Sequence, residues 1–392
     1  MPEPEPEFTD QRAHPVTDEQ DEERGAIEPL EPKSRRPGGP VSRRVYTTGV
    51  PGLDAAVARL LEDLKTAVAG SDGEPRNRDL ELTREIVTSA VRLVIQKATR
   101  DELKLVNDAL KEFAYSFRVF APYRNQRKVS IFGSARVETG DAAYVAAREF
   151  ASLIASRGWM VITGAGPGIM AAGHEGAGAE HSFGVNIRLP GLNPANAYIA
   201  KDGKLINFKY FFTRKVTFLK ESAAFVLLPG GWGTLDETTE LLTLVQTGKS
   251  DLHPVVLLEP EGSTYWRHWL EFNREQLLAN DFIYESDLSI MTIATTPRQA
   301  VDEIERFYAN YHSARFVGDR LILRLKRAPG PEALGRIRRD FADLLDHGDF
   351  EVIDPTPREV RDNDDLEFER LAFYPQHHYG RIRQLIDVLN AL

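Results

Sequence analysis

The stretch Ala223-Ala-Phe-Val-Leu-Leu-Pro-Gly230-Gly231-Trp-Gly233-Thr234-Leu-Asp-Glu237 decides how the rest of the chain is read. Its first half, AAFVLL, is an unbroken apolar run of the kind that forms a strand buried on both faces. Its middle turns on Pro-Gly-Gly-Trp-Gly. Its continuation, LDETTELLTLVQ, places Leu235, Leu241, Leu242, Leu244 and Val245 roughly on one side of a helix. Glycines at a strand-to-helix turn let backbone approach a ligand closely, and the N-terminus of the helix presents N–H groups to an anion.

Upstream and downstream the same rhythm recurs. VSIF132 ends in Gly133-Ser134, and a helical segment, DAAYVAAREFASLIASRG, follows. MVIT163 ends in Gly164-Ala-Gly166-Pro-Gly168, followed by IMAAGHEGAGAEH. FGVNIRLP reads as a third strand, INFKYFFTRKVTFLKES as a helix, HPVVLLEP and SIMTIAT as further strands, and TYWRHWLEFNREQLLAND and PRQAVDEIERFYANYH as helices. Strands alternating with helices of this length specify a parallel α/β sheet, doubly wound, with helices on both faces. Ligands of such sheets sit at the carboxyl ends of the strands, where the three glycine loops fall.

Outside this core the pattern changes. Residues 1–45 are rich in Glu, Pro and Arg and poor in large apolar residues, and read as a disordered acidic tail. Residues 46–125 carry three helical segments, the first two separated by GSDGEP. Residues 126–315 form the α/β core. Residues 316–392 read as a small α+β module of order βαββα: RLILRLKR, PEALGRIRRDFADLLDHG, FEVIDP, RLAFYPQH and GRIRQLIDVLNAL.

Composition narrows the function classes. The 392 residues are 42% hydrophobic, enough for a sizeable core, and carry a net charge of −10, which disfavours nucleic acid as a partner. There is no cysteine, which removes disulfides, thiol nucleophiles and Cys-based zinc sites and fits a cytoplasmic location. No apolar run is long enough to span a bilayer, and the first residues, MPEPEPEFTD, are unlike an export signal, so no membrane partner is expected. The histidines show no metal spacing beyond His377-His378, and no metal site is expected.

Three glycine loops on one sheet edge suggest a phosphate or nucleotide cradle. Gly166-x-Gly168-x-x-Ala171 fits a loose dinucleotide fingerprint, but the next strand ends in Asn186 and Arg188 where an acidic residue is needed, so NAD is not expected. Gly248-Lys249-Ser250 follows a helix where a Walker loop would precede one. Thr234-Leu-Asp-Glu237 matches a capping box, with Thr234 at the N-cap and Glu237 returning to the backbone; the competing reading puts that carboxylate over the sugar of a bound nucleotide. Arg214-Lys215 lies on a helix crowded with Phe208, Tyr210, Phe211, Phe212 and Phe218, and an arginine buried there needs an anionic partner.

The combination of Pro229-Gly-Gly-x-Gly-Thr-x-x-Glu237 with Arg214-Lys215, Gly133-Ser134 and the GAGPGIMAAGHEGA loop resembles the LOG (LONELY GUY) family, the cytokinin riboside 5'-monophosphate phosphoribohydrolases long labelled lysine decarboxylases. GVNIRLPGLNPANAY and FKYFFTRKV are more similar to its longer bacterial members, related to nucleotide 5'-monophosphate nucleosidases. The likeness covers about residues 129–311. It implies a Rossmann-like domain and hydrolysis of the N-glycosidic bond of purine, AMP-like nucleoside 5'-monophosphates, with cytokinin nucleotides as a candidate subclass. It implies no cofactor and a homo-oligomer, dimer or higher. Residue by residue it implies Arg214 and Glu237 as the catalytic pair. Phosphate binding falls to Gly230, Gly231, Gly233 and Thr234, with Gly133, Ser134, Gly164, Gly166, Gly168 and Lys215 beside them. The alternative is a non-catalytic nucleotide or molybdenum-cofactor carrier on the same scaffold.

Overall fold

The computed structural model describes residues 46–68, 77–189 and 195–392. The tail expected over residues 1–45 and the GSDGEP break lie outside the described residues. The chain groups into two compact units, Met1–Lys97 and Ala98–Leu392. In the first, helices α1 (Pro51–Val68) and α2 (Asn77–Ile95) pack together. Thr48 hydrogen-bonds to Asp54 in the first turn of α1 through both its hydroxyl, at 2.8 Å, and its backbone N–H, at 2.7 Å.

The second unit opens with α3 (Arg100–Phe120), started by a complete Thr99–Glu102 capping box. The alternation then runs β1 (Lys128–Phe132), α4 (Ala142–Ala155), β2 (Met160–Thr163), α5 (Ile169–Ala177), β3 (Ser182–Ile187), β4 (Leu205–Phe208) and α6 (Phe211–Glu221). It continues through β5 (Ala224–Leu227), α7 (Trp232–Gln246), β6 (Val255–Leu258), α8 (Tyr265–Phe272), β7 (Met291–Ala294) and α9 (Pro297–Phe307). The seven strands pair in parallel in the order β4-β3-β2-β1-β5-β6-β7, flanked by helices. β1, β2, β5 and β6 are buried at every residue, as expected of apolar runs covered on both faces. From β1 the chain winds out through β2 to one edge, then returns to β5 on the other side of β1. The switch point therefore lies between β1 and β5, and a crevice opens there at the carboxyl ends of both.

β4 departs from expectation. The helical spacing of INFKYFFTRKVTFLKES predicts a helix from Ile206, yet Leu205–Phe208 pairs with β3, and α6 begins only at Phe211. A four-residue edge strand carries too few positions to show a period of two, and the helical spacing after it masked it. A domain edge was expected near residue 125, whereas the grouping falls at Lys97 because α3 packs on α6 and β4.

The C-terminal residues build a four-stranded antiparallel sheet, β10-β11-β9-β8, from β8 (Tyr311–Val317), β9 (Arg320–Leu325), β10 (Leu345–Ile353) and β11 (Glu369–Pro375), with α10 (Pro331–Asp340), α11 (Pro357–Asp362) and α12 (Tyr379–Asn390). The order is ββαβαβα, not βαββα. The helical spacing of PRQAVDEIERFYANYH runs into the first two residues of β8, and the rest of it carries no strand signal; its strand character comes from pairing with β9 across the turn at Gly318, which has φ +66°. α12 returns to the core: a Cβ on Gly380 would lie 2.2 Å from the Ser286 carbonyl, and one on Gly248 1.9 Å from the Tyr379 hydroxyl.

α4 and α5 form the tightest helix contact beside the sheet. An added Cβ at Gly176 of α5 would sit 2.0 Å from the Arg148 carbonyl oxygen of α4. Backbone cannot yield as a side chain can, so Gly176→Ala is expected to cost about 1–3 kcal/mol and lower the thermal midpoint of the full chain. Gly203→Ala, where nothing lies within 4 Å, should leave the midpoint nearly unchanged.

Candidate active site

Three loops meet at the switch point because glycine lets them. Gly168 has φ +65°, and a Cβ there would lie 2.4 Å from the Ser134 carbonyl oxygen. A Cβ on Gly230 would lie 2.1 Å from Thr234 Oγ1 and 3.0 Å from Ser134 N. In the space so left, Ser134 N–H donates to the Pro229 carbonyl at 3.1 Å, and Ile169 N–H donates to the Ser134 carbonyl at 3.0 Å. The Tyr265 hydroxyl from α8 donates to the Gly230 carbonyl at 2.8 Å. The loops after β1, β2 and β5 thus form one hydrogen-bonded rim.

Over this rim lies a cavity of about 440 Å³, a size suited to a mononucleotide. Its lining includes Gly133, Ser134 and Gly164 from the loops after β1 and β2, Gly231, Gly233, Thr234 and Glu237 from the loop after β5 and α7, and Phe211 and Arg214 from α6. α7 begins at Trp232 with Gly231 at the N-cap and no side-chain cap bond. The first-turn N–H groups of α7, among them those of Gly233 and Thr234, therefore stand at the cavity wall with the helix dipole behind them.

This geometry corrects the capping-box reading. Thr234 is the third residue of the helix and is buried, and Glu237 lies in the second turn. The Gly230-Gly231 turn launches the helix two residues before Thr234, so Glu237 has no N-cap backbone to serve. Its Oε1 instead lies 4.0 Å from Arg214 Nη2.

Both members of that pair are largely withdrawn from solvent, with side chains 12% and 11% exposed. Burial pushes the Glu237 carboxyl above its ordinary range, and Arg214 and Lys215 only partly counter it. Burial also lowers Arg214, against the pull of Glu237 and Asp236. Arg214 Nε has no hydrogen-bond partner among the described residues, and its guanidinium lies 5.8 Å from the Phe211 ring and 5.4 Å from the Phe218 ring. Two opposite charges thus face a cavity without closing a hydrogen bond on each other, an arrangement with capacity left for a ligand.

The remaining expected residues separate. Lys215 does not line the cavity: its ammonium bonds Glu240 and Asp236, each at 2.8 Å, and of these two Asp236 borders the cavity. Gly166 accepts the Asn196 amide through its carbonyl at 3.0 Å, and Gly168 borders a neighbouring shallow depression. Gly166, Gly168 and Gly230 shape the rim without lining the cavity. The GAGPG loop is held beneath by Thr163, whose hydroxyl accepts the Ala165 N–H at 3.0 Å while Ala165 takes φ +62°. Buried His174, lowered by its desolvation, meets Thr163 and Asn196.

Sequence reasoning passed over Arg136, an exposed cation lining the cavity, and the rim aromatics Phe211 and Trp232, the latter 89% exposed. The signal for Arg136 was its place three residues after Gly133 on a strand-end loop. Among the described residues no group of three or more His, Cys, Asp or Glu side chains is placed to hold a metal, and no helix is long and apolar enough to cross a membrane.

Residues 168–304 match the family model described as possible lysine decarboxylase. A probable cytokinin riboside 5'-monophosphate phosphoribohydrolase of Oryza sativa subsp. japonica is 35% identical over 94 residues, 24% of this chain and 36% of the relative. A cytokinin riboside 5'-monophosphate phosphoribohydrolase of Arabidopsis thaliana is 36% identical over 94 residues, 24% of this chain and 42% of the relative. The matched stretch spans 36–44% of the length of the first such relatives. The molybdenum-cofactor carrier protein of Chlamydomonas reinhardtii aligns over 46% of this chain and 96% of its own at 20% identity, with a TM-score of 0.33, too low to support an argument.

Gly230→Ala tests the rim. Its Cβ would displace Thr234 from beneath the loop and Ser134 from Pro229, so AMP affinity measured by calorimetry should fall at least about tenfold, the scale of losing one anion-binding contact of about 1.5 kcal/mol.

Proposed function

We propose that this chain, which contains a domain of the family described as possible lysine decarboxylase, hydrolyses the N-glycosidic bond of purine nucleoside 5'-monophosphates to free base and ribose 5-phosphate. The observation that carries this reading is the buried, incompletely paired Arg214–Glu237 couple beside the α7 N-terminus at the switch point. The activity for which the rice and Arabidopsis relatives are named supports it.

In this reading the 5'-phosphate sits on the N–H groups at the start of α7, with Arg136 within reach of it. Phosphate binding far from the reacting carbon fixes the sugar and supplies binding energy for the chemical step. The ribose then lies over the Arg214–Glu237 pair, in contact with both. As the C1'–N bond breaks, positive charge develops on the sugar ring, and the Glu237 carboxylate stabilises it while orienting the attacking water. The water oxygen bonds to C1' and the departing base carries away the bonding electrons, with one proton returned to its nitrogen. Arg214 holds Glu237 ionised against the pull of burial and binds substrate oxygens through its open Nε. The rim aromatics Phe211 and Trp232 offer faces to a purine. The same exposed rim, with Phe212 and Val216, suits a second copy of the chain, and the expected homo-oligomer belongs to this proposal.

Among the described residues, those lining the cavity include no lysine, and Lys215 is committed to two carboxylates. This favours glycosidic hydrolysis over a decarboxylation that needs a lysine Schiff base.

The test is incubation with AMP, GMP, CMP, IMP and isopentenyl-AMP, with chromatography for free base and ribose 5-phosphate. Glu237→Gln should cut kcat about 10²–10⁴-fold with AMP affinity largely kept. Nucleotide bound without base release from any substrate would replace the enzyme with a carrier.

The pH profile carries a second expectation. The working form of Glu237 is ionised, and a raised pKa means the proton is retained to higher pH. Activity should therefore fall on acidification at a pH above the ordinary glutamate value of about 4.3. A limb in kcat/KM at or below that value would remove Glu237 from the role.

A further inference from the structure

We infer that Glu112, on helix α3 outside the segment matching the family model, is the positioning residue that fixes Arg214 at the active site. The inference rests on the proposed nucleosidase reading for its kinetic consequence and on geometry for everything else.

α6 is a helix with a weak beginning. Its N-cap residue is Tyr210, which offers no side-chain cap bond. Its first backbone bond, from Arg214 N–H to the Tyr210 carbonyl, is long at 3.4 Å. Arg214 itself is the donor of that bond, so the residue whose position matters most sits on the least secured turn of its own helix.

α3 supplies what α6 lacks. One carboxylate oxygen of Glu112 accepts the backbone N–H of Lys209 at 2.5 Å, and the other accepts the Thr213 hydroxyl at 2.6 Å. One side chain thereby ties the chain entering α6 to the residue just before Arg214. A negative charge at that end also complements the α6 dipole. One turn earlier on α3, Asp108 pairs with the Lys209 ammonium at 2.8 Å. Farther along, Phe117 of α3 lies 4.9 Å from the Lys220 ammonium at the end of α6. These contacts advance together along both helices, so α3 runs parallel to α6 as a rail, and Glu112 is the tie nearest the site.

The direction of Arg214 leaves little slack. Its Nη2 lies 3.1 Å from where a Cβ on Gly164 would stand, and its guanidinium lies over Phe211 and Phe218. Loosening the first turn moves the guanidinium off the axis toward Glu237, and displacements of about 1 Å in such groups cost about 10²-fold in rate. It also weakens the positive potential that keeps Glu237 ionised. The charged groups facing Glu237 are Arg214 and Lys215 from α6 and Asp236 and Glu240 from α7, and Arg214 is the strongest of the cations among them.

The experiment uses the full chain with Glu112→Ala, Glu112→Gln and, as a packing control, Phe117→Ala. Glu112→Ala should lower kcat/KM for AMP about 10–100-fold, the usual range for a supporting partner, and move its acidic limb to higher pH. Glu112→Gln, which keeps an acceptor, should recover part of both. Hydrogen exchange over residues 209–216 should accelerate in Glu112→Ala and stay at the wild-type rate in Phe117→Ala, which removes only the α3 ring beside Lys220 at the far end of α6. Wild-type protein that releases no base would defeat the nucleosidase reading alone, and exchange together with AMP affinity would then decide the positioning. Glu112→Ala with wild-type exchange over residues 209–216 and an unmoved limb or affinity overturns the inference.

Discussion

Two opposite charges buried 4.0 Å apart without a hydrogen bond between them are an expense that folding does not recover alone. Removing a carboxylate and a guanidinium from water costs several kcal/mol per ion, and only close, well-bonded geometry repays it. Arg214 and Glu237 do not have that geometry, and Arg214 Nε is unpartnered among the described residues. The surroundings make the pair tolerable. Lys215 beside Arg214 engages Asp236 and Glu240, which offsets the competing negative charges on α7. The α7 N-terminus adds a favourable field for any anion that enters.

That arrangement depends in turn on sheet topology. β1 sits at the centre with β2 on one side and β5 on the other, so three loops from three strands point into one crevice. Each glycine at the rim serves a neighbour. Gly230 makes room for Thr234, and Gly168 makes room for Ser134. The glycines therefore act less as ligand contacts than as the spacing that lets three backbones share hydrogen bonds. Of the expected glycines, Gly133, Gly164, Gly231 and Gly233 line the cavity itself.

Much of this was legible in the sequence because buried parallel strands are contiguous apolar runs, and VSIF, MVIT and AFVLL are unmistakable as such. Features that depend on partners far along the chain were not legible. β4 and β8 are strands because β3 and β9 lie beside them, and neither carries enough local pattern to show it. Thr234-x-x-Glu237 satisfies the capping pattern letter for letter, yet the helix starts at Trp232; the glycines decide where the turn ends. Arg214 and Lys215 look equivalent in a string, but consecutive residues on a helix point about 100° apart, so one faces the cavity and the other cannot. Arg136 sits on a loop, where no periodicity marks which side chain turns inward.

α7 is held at both ends, and this links the C-terminal sheet to the site. At its start Tyr265 holds the Gly230 carbonyl. At its end Gly248, with φ +67°, lies so close to Tyr379 that a Cβ there would overlap the phenolic oxygen, and Gln246 donates to Asp287 at 2.6 Å. α12 packs on the turn that carries Asp287 and Ser286. The helix that carries Glu237 is thus seated against C-terminal residues that the family match does not reach, just as the helix that carries Arg214 is tied down by α3 on the other flank. The catalytic pair proposed here is contributed by the shared core, but the two helices that carry it are each fixed by a segment outside it. The geometry of this site consequently belongs to the whole second unit, and a core cut back to residues 168–304 would lose β1, Ser134 and both supports.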